Sequence, residues 1–169
     1  MSFFARAVFG VVNFLAARGG LQPEESHTET EAGRERRRTG VRGETFAYWY
    51  LRRLGYVVVR RNYRVPHRRG EIDLIGWDGD VLAFVEVKTR TTPTGGPPER
   101  GVDVGQRQEL LAMARDYVAR LARRSPQGQA SSQEGAADEV RCRFDVLSIE
   151  AKAGAAPVVR LHKGAFGGV

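Results

Sequence analysis

Between Gly70 and Arg90 the chain reads GEIDLIGWDGDVLAFVEVKTR. Two runs rich in Ile, Leu, Phe and Val flank Asp78-Gly79, a dipeptide favoured in two-residue hairpin turns, so the stretch is expected to form two antiparallel strands. Charge interrupts both runs: Asp73 in the first, Glu86 and Lys88 in the second. With Asp78 and Gly79 central to the turn, Trp77 faces Asp80, Asp73 faces Phe84 and Glu71 faces Glu86. Opposed residues share a face, as do their neighbours two positions along. Asp73 and Glu86 are therefore expected as a diagonal pair, with Lys88 beside them. Were one strand to slide by a single residue, the two acids would lie on opposite faces.

Two carboxylates on one face can converge on a hard, oxygen-seeking cation. Mg²⁺ takes one or two carboxylates, keeps waters and binds substrate phosphate, so Mg²⁺ or Mn²⁺ is the expected cofactor of a phosphodiester-cleaving centre here. Lys88 could orient or help deprotonate the attacking water, or stabilise charge developing on the phosphate. Arginine, effectively always charged, would be a poor proton acceptor. The chain carries Lys88, Lys152 and Lys163 against 24 arginines, so a lysine at this position is informative. The structural alternative is a solvated hairpin face with a cross-strand ion pair.

The surrounding chain suggests where such a hairpin would sit. Residues 1–18 are expected to form a short amphipathic helix able to contact a surface or a partner, its apolar stretch being too short to span a bilayer. Residues 19–39 read as a disordered linker, and a domain is expected over 40–166, with a flexible insertion at 125–139. From Gly43 to Leu54 the spacing predicts a helix whose inward stripe begins with Glu44 and continues through Ala47, Leu51 and Leu54. Strands are expected at 56–64, 141–149 and 158–162, a loop at 91–101 and a helix at 106–124. The fold class expected is α/β: a mixed central sheet flanked by helices, in the order α-β-β-β-α-β-β.

The formal charge of +7 and pI near 10.2 make a polyanion a natural partner. The single cysteine, Cys142, excludes an intrachain disulfide and a Cys-rich zinc site, and suits a reducing cytoplasm. There is no GxxxxGK[ST] phosphate loop, and the three histidines lack metal-ligand spacing.

GEIDLI followed by FVEVKTR resembles the signature of the PD-(D/E)XK nuclease superfamily. Together with GET at 43–45, LGY at 54–56, RRNYR at 60–64 and RFDVL at 143–147, it resembles more closely the bacterial YraN family. That resemblance implies a restriction-endonuclease-like fold and Mg²⁺- or Mn²⁺-dependent cleavage of nucleic acid, DNA above all, with branched DNA as one substrate. It makes Asp73 and Glu86 the metal ligands, Lys88 the catalytic lysine and Glu44 the acid supplied by the first helix. Arg60, Arg61, Arg64, Arg68, Arg69 and Arg90 bracket these residues and are expected to contact phosphates. Many YraN sequences carry a lysine at the start of the later helix; here Gln106 and Arg107 stand there, and Arg107 is expected to take over as phosphate binder. The alternative from another class is a non-catalytic nucleic-acid-binding module that retains the acidic face.

Overall fold

The computed structural model describes residues 10–12, 30–90, 103–124, 140–151 and 155–166. The first long element, α1 (Glu31–Arg53), begins twelve residues before the expected Gly43, so residues 31–39, expected in a linker, are helical. The Thr30 hydroxyl accepts a hydrogen bond from the Gly33 amide at 3.2 Å, Glu31 lies in the first turn, and Arg52 and Arg53 lie in the last. Cap and charges together complement the helix dipole. The first turns carry no apolar stripe to announce them. Farther along, Phe46, Ala47 and Leu51 are buried, whereas Leu54, expected on the same stripe, is the C-cap and half exposed.

Five strands follow: β1 (Val57–Tyr63), β2 (Ile72–Asp78), β3 (Val81–Arg90), β4 (Cys142–Glu150) and β5 (Val158–Phe166). The helix α2 (Val104–Arg124) separates β3 from β4. The sheet order is β1-β2-β3-β4-β5, antiparallel except between β3 and β4. A parallel pair needs a long crossover, and α2 is that crossover. The described elements therefore form a mixed α/β fold in the order α-β-β-β-α-β-β, with β1 and β5 at the edges.

Alternation along the strands divides the core between two layers. Leu74, Ala83, Val85, Leu147 and Ile149 pack with Phe46, Ala47 and Leu51 of α1. Ile75, Leu82, Phe84, Phe144 and Val146 pack with Leu110, Met113 and Ala114 of α2. Because both faces are covered, β2 and β3 read as almost continuous apolar runs. A charge inside them must be explained by something other than solvent. Of the N-terminal stretch only 10–12 are described; they are helical, and Val12 is buried in the α1-side cluster. The expected insertion at 125–139 and most of the loop at 91–101 lie outside the described residues.

Candidate carboxylate site

The hairpin register differs from the expected one. Trp77 pairs with Leu82 and Asp78 with Val81, so the central turn residues are Gly79 and Asp80. Of the two, only Gly79 adopts a positive φ, 62°, and glycine at the first central position is what a tight hairpin turn favours. The turn has moved by a whole residue, which preserves the faces. The ladder ends at Leu74 and Val85, and Asp73 and Glu86 are the next residue on each strand. The expected opposition of Asp73 with Phe84 is thus overturned, since Phe84 pairs with Ile75, and Glu71, expected opposite Glu86, precedes β2. The two acids share one face of the hairpin, as expected, next to the last paired residues of each strand.

Both acids are buried, Asp73 at 9% exposure and Glu86 at 7%. By strand alternation they lie on the sheet face that α2 covers. The Val87 amide donates to Asp73 Oδ2 at 2.7 Å. Lys88 Nζ donates to Glu86 Oε1 at 2.8 Å, and the Gln106 side-chain amide donates to the same oxygen at 2.8 Å. Gln106 Oε1 in turn accepts from Lys88 Nζ at 3.4 Å. Asp103 fixes this first turn of α2, its Oδ1 accepting from the Gln106 backbone amide at 2.8 Å. Among the described residues, Asp73 Oδ1 and Glu86 Oε2 accept no hydrogen bond.

Two further acids approach from the sides. Glu44, on α1, accepts from Asn62 Nδ2 at 2.7 Å, and Glu71 accepts from Arg64 Nε at 2.9 Å. Asn62 reaches Glu44 from a left-handed backbone conformation, φ 49°, which asparagine tolerates better than most residues. Gly43 permits the close approach of α1 to β3: a Cβ there would overlap the Thr89 hydroxyl. Between the first half of α1 and the end of β3 opens a cleft of about 590 Å³, with Glu44 and Lys88 in its wall.

Asp73 and Glu44 are both pushed toward protonation. Burial holds the Asp73 carboxyl well above the usual carboxylate range, Glu86 pushes it the same way, and the Val87 hydrogen bond only partly opposes them. Glu44 is also raised, chiefly by desolvation, with Asn62 opposing and Glu71 and Glu86 adding to it. No group of three or more His, Cys, Asp or Glu among the described residues is arranged to hold a metal ion. Two carboxylates with an open oxygen each still match what Mg²⁺ requires of a protein, which is one or two carboxylates beside water and phosphate.

The arginines divide. Arg64 is tied to Glu71 at the site, and Arg61 lies near enough to Glu44 to favour its ionised form. Arg60, Arg61 and Arg64 line a separate cavity of about 490 Å³ between β1 and α2. Arg68 instead pairs with Glu109 at 3.6 Å, and Arg107 carries its guanidinium over the Phe166 ring, 5.5 Å from the centroid. At the start of α2 it is therefore Gln106, not Arg107, that enters the carboxylate cluster. Arg69 is exposed beside the β1–β2 connection, and Arg90 ends β3, where its carbonyl accepts from the Ala151 amide at 2.9 Å. Asn62 and Asp103 were not singled out in the sequence. The only local hint for Asn62 was a lone amide within RRNYR.

A model of the "Uncharacterised protein family UPF0102" matches residues 43–149. A UPF0102 protein of Koribacter versatilis is 46% identical over 92 residues, covering 54% of this chain and 64% of that protein. One of Solibacter usitatus is 44% identical over 124 residues, 73% of this chain and 82% of its own length. One of an Anaeromyxobacter species is 36% identical over 140 residues, 83% and 92% respectively. The matched span of the family model begins at Gly43 and ends at Ile149, so it takes in Glu44, Asp73, Glu86, Lys88 and Gln106.

Proposed function

The chain belongs to the UPF0102 (YraN) family, and on that premise we propose that it is a restriction-endonuclease-like, cytoplasmic protein that binds nucleic acid and hydrolyses phosphodiester bonds with Mg²⁺ or Mn²⁺. The observation that carries the reading is two buried carboxylates, Asp73 and Glu86, on the residues next to the last β2–β3 pair, with Lys88 bonded to the second. Asp73 Oδ1 and Glu86 Oε2 would hold the ion. When bound, it would supply Lewis-acid activation of water and of the phosphate.

The protein's own groups then have separable tasks. Lys88, half-buried and held by Glu86 and Gln106, presents its ammonium where it can orient the attacking water or neutralise a phosphate oxygen. Gln106 keeps Glu86 Oε1 and Lys88 in register, leaving Oε2 open. Glu44 and Glu71 add negative potential that favours a divalent cation over a bare site. The charge of +7 supports a polyanionic substrate. A second reading, a binding module without catalysis, is favoured by one contact: Lys88 already neutralises Glu86 at 2.8 Å.

Cleavage of single-stranded, duplex, flap and four-way-junction DNA with Mg²⁺ or Mn²⁺ separates the two. The nuclease reading predicts that Asp73→Ala and Lys88→Ala each lower the rate by about 100-fold or more. Binding without cleavage on every substrate would leave the module reading standing. A rate unchanged in both variants would trace the cutting to a contaminant.

A further inference from the structure

The cavity between β1 and α2 lies on the open edge of the sheet. Arg60, Arg61 and Arg64 enter it from the strand, and Arg120 and Arg123 from the helix, around Tyr117. Two acids answer them: Glu71 pairs with Arg64 at 2.9 Å, and Asp116 accepts from the Tyr63 hydroxyl at 2.7 Å and pairs with Arg120 at 2.8 Å. Among the described residues Arg60 and Arg123 form no ion pair. Five guanidiniums thus face two carboxylates, and the concave place carries a net positive charge.

On the other side of the same strand stands an exposed aromatic group. Trp49, at the end of α1, is 47% exposed and packs edge-on against Tyr48, with ring centroids 5.1 Å apart. Arg61, which also lines the cavity, lies over the Tyr48 ring at 5.0 Å, and Arg52 lies over both rings at 5.5 Å. Val57 and Val59, on the strand between, are exposed as well. Arg61 therefore joins an aromatic platform to an arginine pocket across β1. The same segment touches the carboxylate site through Asn62 to Glu44 and Arg64 to Glu71.

We infer that the β1 edge seats an unpaired nucleic-acid strand, its phosphates in the Arg60–Arg123 pocket and a base stacked on Trp49, beside the carboxylate centre. Charge favours a polyanion, and the exposed indole favours one whose bases are available. A duplex keeps its bases stacked internally and would leave Trp49 unused. The inference deepens the nuclease reading by naming the substrate class, but binding can be measured with cleavage silenced.

The test is fluorescence anisotropy of a labelled twenty-nucleotide oligo(dT) with the whole chain in EDTA, against a duplex of equal length. Trp49→Ala is expected to weaken oligo(dT) about 5- to 140-fold, with Trp49→Phe recovering most of the loss and duplex affinity little changed. Arg60→Ala with Arg123→Ala is expected to flatten the slope of log affinity against log salt by about 1.4. Both positions lie at the surface, and circular dichroism verifies that the variants fold. Equal affinity for single strand and duplex that is indifferent to Trp49 overturns the inference. So does unaltered oligo(dT) binding in the double arginine variant, or a preference for phosphatidylglycerol vesicles over oligo(dT). Because no metal is present, binding lost without Trp49 stands whether or not the protein cuts, and cleavage without Trp49 dependence refutes this inference alone.

Discussion

Two acidic clusters lie on the same sheet, and they are built on opposite plans. Asp145 on β4 is fully buried, at 0% exposure, and saturated with donors. Its Oδ1 accepts from Arg143 Nε at 2.9 Å and the Gly164 amide at 3.0 Å, and its Oδ2 from the Tyr56 hydroxyl at 3.0 Å. Arg143 also reaches Asp78, which Lys163 binds at 2.6 Å. Two acids meet two bases there, and the set is closed. Around Asp73 four acids, Asp73, Glu86, Glu44 and Glu71, meet Lys88 and Arg64, and one oxygen each of the buried residues Asp73 and Glu86 stays open. A saturated buried charge is a structural tie, whereas an uncompensated one costs stability and signals a ligand. By that criterion Asp145 ties β4 to β5 and to Tyr56, which precedes β1, while Asp73 keeps an acceptor oxygen unused.

The largest expected effect lies at the saturated end. Asp145→Ala removes the fully buried acceptor shared by Arg143, the Tyr56 hydroxyl and the Gly164 amide and should destabilise by about 3–5 kcal/mol in urea unfolding, the cost of breaking a buried pair. If the loss were instead small, the two clusters would not differ as described. Asp78, about a quarter exposed, follows at roughly 1–2 kcal/mol for Asp78→Asn. The hydrogen bonds from Lys163 and Arg143 hold its carboxyl below the usual range. Its stabilising contribution is therefore present above the unfolded value near 3.9 and is lost as pH falls through the lower folded value.

Asp73 should behave with the opposite sign. Its folded pKa is raised, so its contribution is fully present below the unfolded value and is lost as pH climbs through the folded one. Asp73→Asn should consequently stabilise the metal-free protein by about 1–3 kcal/mol at pH 7, and the gain should vanish near pH 4. Urea unfolding of the two asparagine variants across pH 2–8 reads both signs together, Asp78→Asn below about pH 4 and Asp73→Asn above it. Parallel profiles would erase the distinction between the clusters.

How far the sequence revealed this depended on the range of the interaction. The shared face of Asp73, Glu86 and Lys88 followed from period-two alternation, which survives a whole-residue error in the turn. The exact pairing did not, because DGD offers two overlapping glycine turns and only the backbone at Gly79 decides between them. The first half of α1 was hidden because a polar helix held by a cap lacks an apolar stripe. Gln106 and Arg107 are adjacent at a helix start and so point in different directions; which one entered the site depended on how α2 sits against the sheet. Asp145 and Asn62 depend on partners 89 and 18 residues away, contacts that no local pattern encodes.

The central claim, that the open oxygens of Asp73 and Glu86 are held ready for a cation, is tested most directly by calorimetric titration of Mn²⁺ into the metal-free protein and its Asp73→Asn variant at pH 7. The account predicts one ion bound by the native chain, with the heat lost or the affinity reduced at least tenfold in the variant. Identical titrations of the two proteins, or no binding to either, would contradict it.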